Sequence, residues 1–157
     1  ATNCNGTSKL INMSPDSIFQ LSSTIALLAW LILFIASPFW RGFDKLLIGV
    51  VITLFSIVYF WLLAQNFKLS DMQNFSTLEG FMQLLTSKVA VTTAWIHFLA
   101  FDLMAGIWIK KNAQLHGIKH WVLLPCLFFT FMVGPVGLCM YLIVRLVHTR
   151  QYFADNY

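Results

Sequence analysis

The sequence predicts an all-α integral membrane protein: a four-helix bundle with a short amphipathic interfacial helix between spans 2 and 3. Three observations carry that expectation. Of its 157 residues, 59% are hydrophobic and only 10% charged, where a soluble domain has about a quarter charged. The apolar residues gather into four runs, each close to the ~20 residues that cross a bilayer core. The basic residues sit in the short stretches around those runs, so the net charge of +4 reads as a topology signal. No nucleic-acid partner is expected from it. The aromatic share, with 15 Phe and 6 Trp, suits lipid contact and interfacial belts.

Residues 1–12 form a polar, unpatterned tail, the mature end of a processed precursor or an expression remnant, with Met13 as a second possible start. The membrane domain is expected over 13–148. Its first span runs from about Ile18 to Ser37, opened by Ser14-Pro15-Asp16 as cap and first turn. Pro38-Phe39-Trp40-Arg41 closes it, and a short loop with Arg41, Asp44 and Lys45 leads to the second span, 46–63. There Gly49, Thr53 and Ser56 recur at helical spacing. Close helix packing is the ordinary explanation of such a small-residue stripe; lining a ligand site is the functional one.

Residues 64–88 form the longest connection. Ser76-Thr77-Leu78-Glu79 offers a capping box, and Leu78, Phe81, Met82 and Leu85 then follow at helical spacing. This predicts a short helix lying on the membrane surface, or else a lid over the bundle. The third span, 89–109, ends at Lys110 and Lys111, and Gly117 marks the turn beyond. The fourth, 121–144, carries Gly134-Pro135-Val136-Gly137, which predicts a kink. A polar tail occupies 149–157. Four spans place both termini on one side. Lys and Arg divide equally between the two faces, and the shorter, denser basic loops point to a non-cytoplasmic side for the termini, in a bacterial inner or an organelle membrane.

Of the three cysteines, Cys126 and Cys139 lie 13 apart on one predicted helix, roughly 20 Å and too far for a bridge; Cys4 is left over. His116 and His120 have helical metal-ligand spacing, but Gly117 intervenes and no third ligand is near. No metal and no cofactor are expected.

The stretch from Ala94 to Ile109 holds an imidazole, His97, and a carboxylate, Asp102, within an otherwise apolar span. Ionisable groups in hydrocarbon are costly and face a bundle interior, a cavity or a partner. They are the candidate functional pair; the plainer alternative is that both are satisfied polar residues fixing helix register. Five residues separate them, about 140° around an ideal helix, so they make two contacts rather than one. Trp95, Asp102 and Gly106 share a face, with Gly106 leaving a gap beside the carboxylate. Counting turns places Thr53, Ser56, Thr130, Gly134 and Pro135 in the same polar layer, with the kink at the depth of His97.

Several of these stretches together are similar to one family. Ser76-Thr77-Leu78-Glu79-Gly80, the run Ala94-Trp95-Ile96-His97-Phe98-Leu99-Ala100-Phe101-Asp102-Leu103, Gly117-Ile118-Lys119-His120-Trp121 and Gly134-Pro135-Val136-Gly137-Leu138 with Tyr141 and Arg145 resemble the abscisic-acid-deficient-four-like, or neoxanthin synthase-like, family. The resemblance covers about Met13 to Arg145. That four-span family contains the plant plastid protein needed for neoxanthin synthesis and many bacterial relatives. It implies a cofactor-independent isomerase of a xanthophyll, carotenoid or other isoprenoid lipid, opening an epoxide to an allenic alcohol without net redox change. Asp102 would be the acid and His97 the base. The other class of function is non-catalytic: an accessory subunit of a larger membrane complex or homo-oligomer, or a pigment- or lipid-binding protein.

Overall fold

The computed structural model describes residues 14–35 and 43–150. The polar tails, Cys4 and the closing Pro38-Phe39-Trp40-Arg41 lie outside them. Among the described residues every regular element is helical. Helix α1, Pro15–Ile35, begins as the sequence predicts: the Ser17 amide donates to Ser14 Oγ at 3.2 Å, proline takes the first position and Asp16 the first turn. Helix α2, Phe43–Leu46, passes through a π-helical turn, Leu47–Ile52, into α3, Thr53–Asn66. Gly49 and the β-branched Val50, Val51 and Ile52 make this the weakest helix-forming stretch of the span.

A 3₁₀ segment, Leu69–Ser76, and helix α4, Leu78–Leu84, fill the connection to α5. The cap of α4 lies one residue beyond the predicted box. Thr77 Oγ1 accepts from the Gly80 amide at 3.1 Å, while Ser76 Oγ donates back to the Gln73 carbonyl. Helix α5, Lys88–Leu115, is the long central helix and packs against α1, α3 and α6. It outruns its predicted end at Ile109 by six residues. Lys110 and Asn112 are buried rather than interfacial, so the charge that seemed to close the span lies inside the bundle.

The expected fourth span, 121–144, is where sequence and structure part. Two helices stand in its place, α6, His120–Val133, and α7, Pro135–Thr149. At 14 and 15 residues each is about 21–23 Å long, short of the ~30 Å hydrocarbon core. Gly134, with φ +37°, turns the chain back on itself. Gly137 lies directly against the Thr130 amide and the Cys126 carbonyl, which a kinked but continuous helix would keep well over 10 Å apart for residues 126 and 137. Further along α7, Tyr141 donates to Asn112 Oδ1 at 2.6 Å and packs edge-on against Trp108. The helix is therefore heading back towards the C-terminal end of α5. The element is a hairpin that reaches partway along the bundle and returns.

Three helices are long and apolar enough to cross a membrane: Pro15–Ile35, Leu47–Asn66 and Lys88–Leu115. The start of α1 is tied to the start of α5 by the Lys88–Asp16 ion pair at 3.1 Å, and α7 ends at the far end of α5. The described ends of the chain thus lie at opposite ends of the bundle, not at one end as four spans require. The hairpin also overturns the ground on which the two cysteines were kept apart, although both are free thiols.

Candidate functional site

His97 lies nine residues into α5, about 14 Å from its start. Its ring leaves the helix on the side of α3 and opens into a pocket of about 560 Å³. The C-terminal half of α3, the 3₁₀ segment with α4, and the first third of α5 enclose that pocket. Tyr59 faces His97 with ring centroids 5.6 Å apart, and Phe101 stacks below at 4.5 Å. Over the top, Phe67, Phe75 and Phe81 form an aromatic chain with centroid spacings of 6.1 and 5.8 Å. The connection between spans 2 and 3 thus roofs a pocket, which is the lid alternative rather than a helix resting on lipid alone.

The pocket is graded in polarity. Leu62, Leu63, Val89, Ala90 and Phe98 line its body, while Asn66, Asp71 and Gln83 stand under the roof. Asp71 is fixed by the Lys68 amide, which donates to its Oδ2 at 2.9 Å. Sequence reasoning singled out neither Tyr59 nor Asp71. Tyr59 lies in an apolar run rich in aromatics, and Asp71 in a stretch whose 3₁₀ fold gives no hydrophobic period to read.

Asp102 is on a different face of α5, as the 140° separation requires, and does not enter the His97 pocket. Its carboxylate lies against the hairpin turn: a Cβ built on Gly134 would stand 2.5 Å from Asp102 Oδ1. This sets a carboxylate at the first turn of α7, where the helix dipole favours negative charge, and Pro135 is the first residue of that helix. Asp102, Gly134 and Pro135 come together, therefore, at the depth of Asp102 and not of His97. The predicted depth was out by the six residues that α5 continues past Ile109.

The other expected lining residues are occupied elsewhere. Gly106 leaves no gap, because Trp30 fills it; a Cβ there would lie 2.6 Å from the indole. Trp95 crosses to α1, donating from Nε1 to Ser23 Oγ at 2.8 Å and stacking on Phe19. Thr53 and Ser56 face outward and bond the carbonyls of Ile48 and Ile52 on their own helix. Thr130 is fully buried between α6 and α7, its hydroxyl on the Cys126 carbonyl. His116 and His120 do not share a helix, since α5 ends at Leu115 and α6 begins at His120. His120 Nε2 instead meets the Phe34 carbonyl at 3.0 Å.

A family model described as ABA DEFICIENT 4-like matches residues 17–141, most of the chain, and the chain belongs to that family. No curated protein and no solved structure matches it.

Proposed function

We propose that this member of the ABA DEFICIENT 4-like family is a multi-pass membrane protein that takes an isoprenoid lipid of the xanthophyll or carotenoid type into the His97 pocket and isomerises it by proton transfer. The observation that carries this reading is the exposure of His97 to a greasy, roofed pocket whose polar groups cluster at one end. An apolar chain with a polar end group matches that gradient, and such a chain filling the pocket would keep water from His97 during proton transfer. Opening an epoxide to an allenic alcohol removes one proton from carbon and delivers one to oxygen, so mass and oxidation state are unchanged. His97 serves as the base. The proton donor is Tyr59, which shares the pocket with His97, and not Asp102, which the resemblance implied.

The test is conversion of an epoxide-bearing xanthophyll by the purified protein in lipid nanodiscs, followed by chromatography and mass spectrometry. A product of equal mass and altered spectrum is expected, with His97→Ala slowing its formation by about 10²–10⁴-fold, the usual contribution of a general base. Asp102→Asn retains conversion if Asp102 acts only at the hairpin. Pigment that stays bound but unchanged in every variant overturns the catalytic reading. It favours a pigment- or lipid-binding protein or accessory subunit, a reading supported by the removal of Asp102 from the expected acid–base pair.

On the hairpin reading the basic residues of the described chain divide unequally. Lys45, Lys110, Lys111, Lys119, Arg145 and Arg150 gather at the C-terminal end of α5, against Lys68 and Lys88 at the other. Positive charge marks the cytoplasmic side, so the start of α1 faces away from the cytoplasm and the end of α7 faces it. Labelling single cysteines at Ser14 and Thr149 in sealed vesicles reports opposite accessibility on this reading, and equal accessibility on a four-span one.

A further inference from the structure

The His97 pocket has few walls. Below the 3₁₀ segment and α4 it is lined by α3 and α5, and among the described residues none of α1, α6 or α7 reaches it. Two helices make two walls, so the cleft between them stays open along one side. His97 is itself exposed there, and Phe98 and Phe101 beside it are 58% and 54% exposed. Because His97 stands nine residues into α5, about 14 Å along the span, this side opening faces hydrocarbon rather than water. The end towards water is covered instead, by Phe67, Phe75 and Phe81.

The lid that covers that end carries apolar side chains on its outer face. Leu69, Met72, Leu78 and Met82 are between 61% and 85% exposed, while Asp71 and Gln83 line the pocket. A lid facing water does not expose such a patch. The segment leaves one membrane-length helix at Asn66 and enters another at Lys88, so the surface its outer face meets is the boundary of the same bilayer. Gln73, Ser76 and Glu79, also exposed, give it the polar edge that an interfacial segment keeps among headgroups. Lys68, exposed at its start, is placed to snorkel there. The lid is one piece, with Gly80 lying directly on the Asn74 backbone, and the chain is extended at Lys68 before it and at Ser87 after it. We propose that this outer face docks in the bilayer boundary and seals the pocket from water, so that the pocket is entered sideways, from the lipid leaflet, through the cleft between α3 and α5. The proposal rests on the chain spanning a membrane, and holds whether the occupant is converted or only bound.

The test places bimane on single cysteines, with Cys4, Cys126 and Cys139 replaced by alanine, in nanodiscs of phospholipid with plain or brominated chains. Bromine quenches bimane only at close range. The label at Met82→Cys, on the outer face, and at Ala94→Cys, in the cleft, is expected to lose most of its emission to brominated chains. A charged thiol reagent, confined to water, then measures the seal by its rate of reaction with Ala94→Cys. Leu78→Glu with Met82→Glu is expected to raise that rate by about tenfold or more, the worth of one immersed apolar side chain. Leu78→Trp with Met82→Trp keeps the face apolar and leaves the rate unchanged, which separates loss of docking from disturbance of the lid. An unquenched label at Met82 overturns the docking, and an unquenched label at Ala94 overturns the sideways entrance. A rate that the Glu pair leaves unchanged, or that the Trp pair raises equally, overturns the seal. None of these readouts depends on conversion, so their failure is distinct from failure of the isomerase reading.

Discussion

The two ends of this bundle are built differently. Towards the C-terminal end of α5 lie four packed helical segments, with Trp30, Leu103, Ile107, Leu123, Leu127 and Tyr141 in one nearly sealed cluster. Towards its N-terminal end α1, α3 and α5 meet under the 3₁₀ segment and α4, and the buried core of the described residues there is Ala26, Phe55, Leu62, Ile96 and Leu99. The open space is at that thinner end. It holds the His97 pocket and a second groove of about 400 Å³ between α1 and α3. In a bilayer no hydrophobic force drives helices together, so close packing has to hold them. The hairpin concentrates that packing in one half and leaves the other half free to receive molecules.

Three glycines test the contrast with one substitution each. The largest effect is expected at Gly137→Ala, inside the sealed half. The added methyl would meet the Thr130 amide and the Cys126 carbonyl, both backbone, so α6 and α7 have to separate. A loss of about 2–4 kcal/mol follows from such overpacking. It is measured as a fall in the temperature at which the protein loses its monodisperse peak in detergent. An unchanged transition would mean that α6 and α7 do not form a hairpin, and the difference between the two halves would disappear with it.

Gly134→Ala, at the boundary between the halves, is expected to cost less. A left-handed φ of +37° strains any residue with a Cβ by about 1–3 kcal/mol. The nearest atom it meets is Asp102 Oδ1, the mobile end of a side chain that can move aside. If strain alone decides, Asp102→Ala on top of Gly134→Ala recovers little stability in the same melting assay. Recovery of most of the loss would show that crowding by the carboxylate governs the turn.

Much of this architecture was legible from the chain. Membrane character, the start of α1, the helical connection after span 2 and the position of the break at Gly134-Pro135 all follow from hydrophobic runs, caps and breakers. The sense of that break did not. A proline in an apolar run reads equally as a kink or a reversal, and what separates them is the pair of glycines around it. Gly134 supplies the positive φ, and Gly137 lets the returning helix touch backbone. Tyr141 near the end of the predicted span and Arg145 just past it, both buried in the structure, were the remaining signal of a helix returning into protein rather than continuing through lipid. For the site, the angular argument from spacing separated His97 from Asp102 correctly. The pocket partners Tyr59 and Asp71 were out of reach, because their proximity to His97 depends on how a 3₁₀ segment folds over the bundle.

The smallest effect belongs to Gly49→Ala, on the outward face of the packed half, two residues from the buried Leu47. Gly49 has the same residue type and a comparable place in an apolar run, and the sequence read it, with Thr53 and Ser56, as a stripe for helix packing. Yet a Cβ there meets nothing within 4 Å, and the two hydroxyls bond their own helix. With no neighbour to displace, the substitution acts only through backbone freedom. Alanine in a helix is favoured over glycine by about 0.5–1 kcal/mol, so a slight rise in the melting temperature of the monomer is expected. A fall of the size expected for Gly137→Ala would mean that another helix approaches this stripe in the assembled protein. The outward face of the packed half would then be an interface with that partner, and the contrast between the halves would extend beyond the single chain.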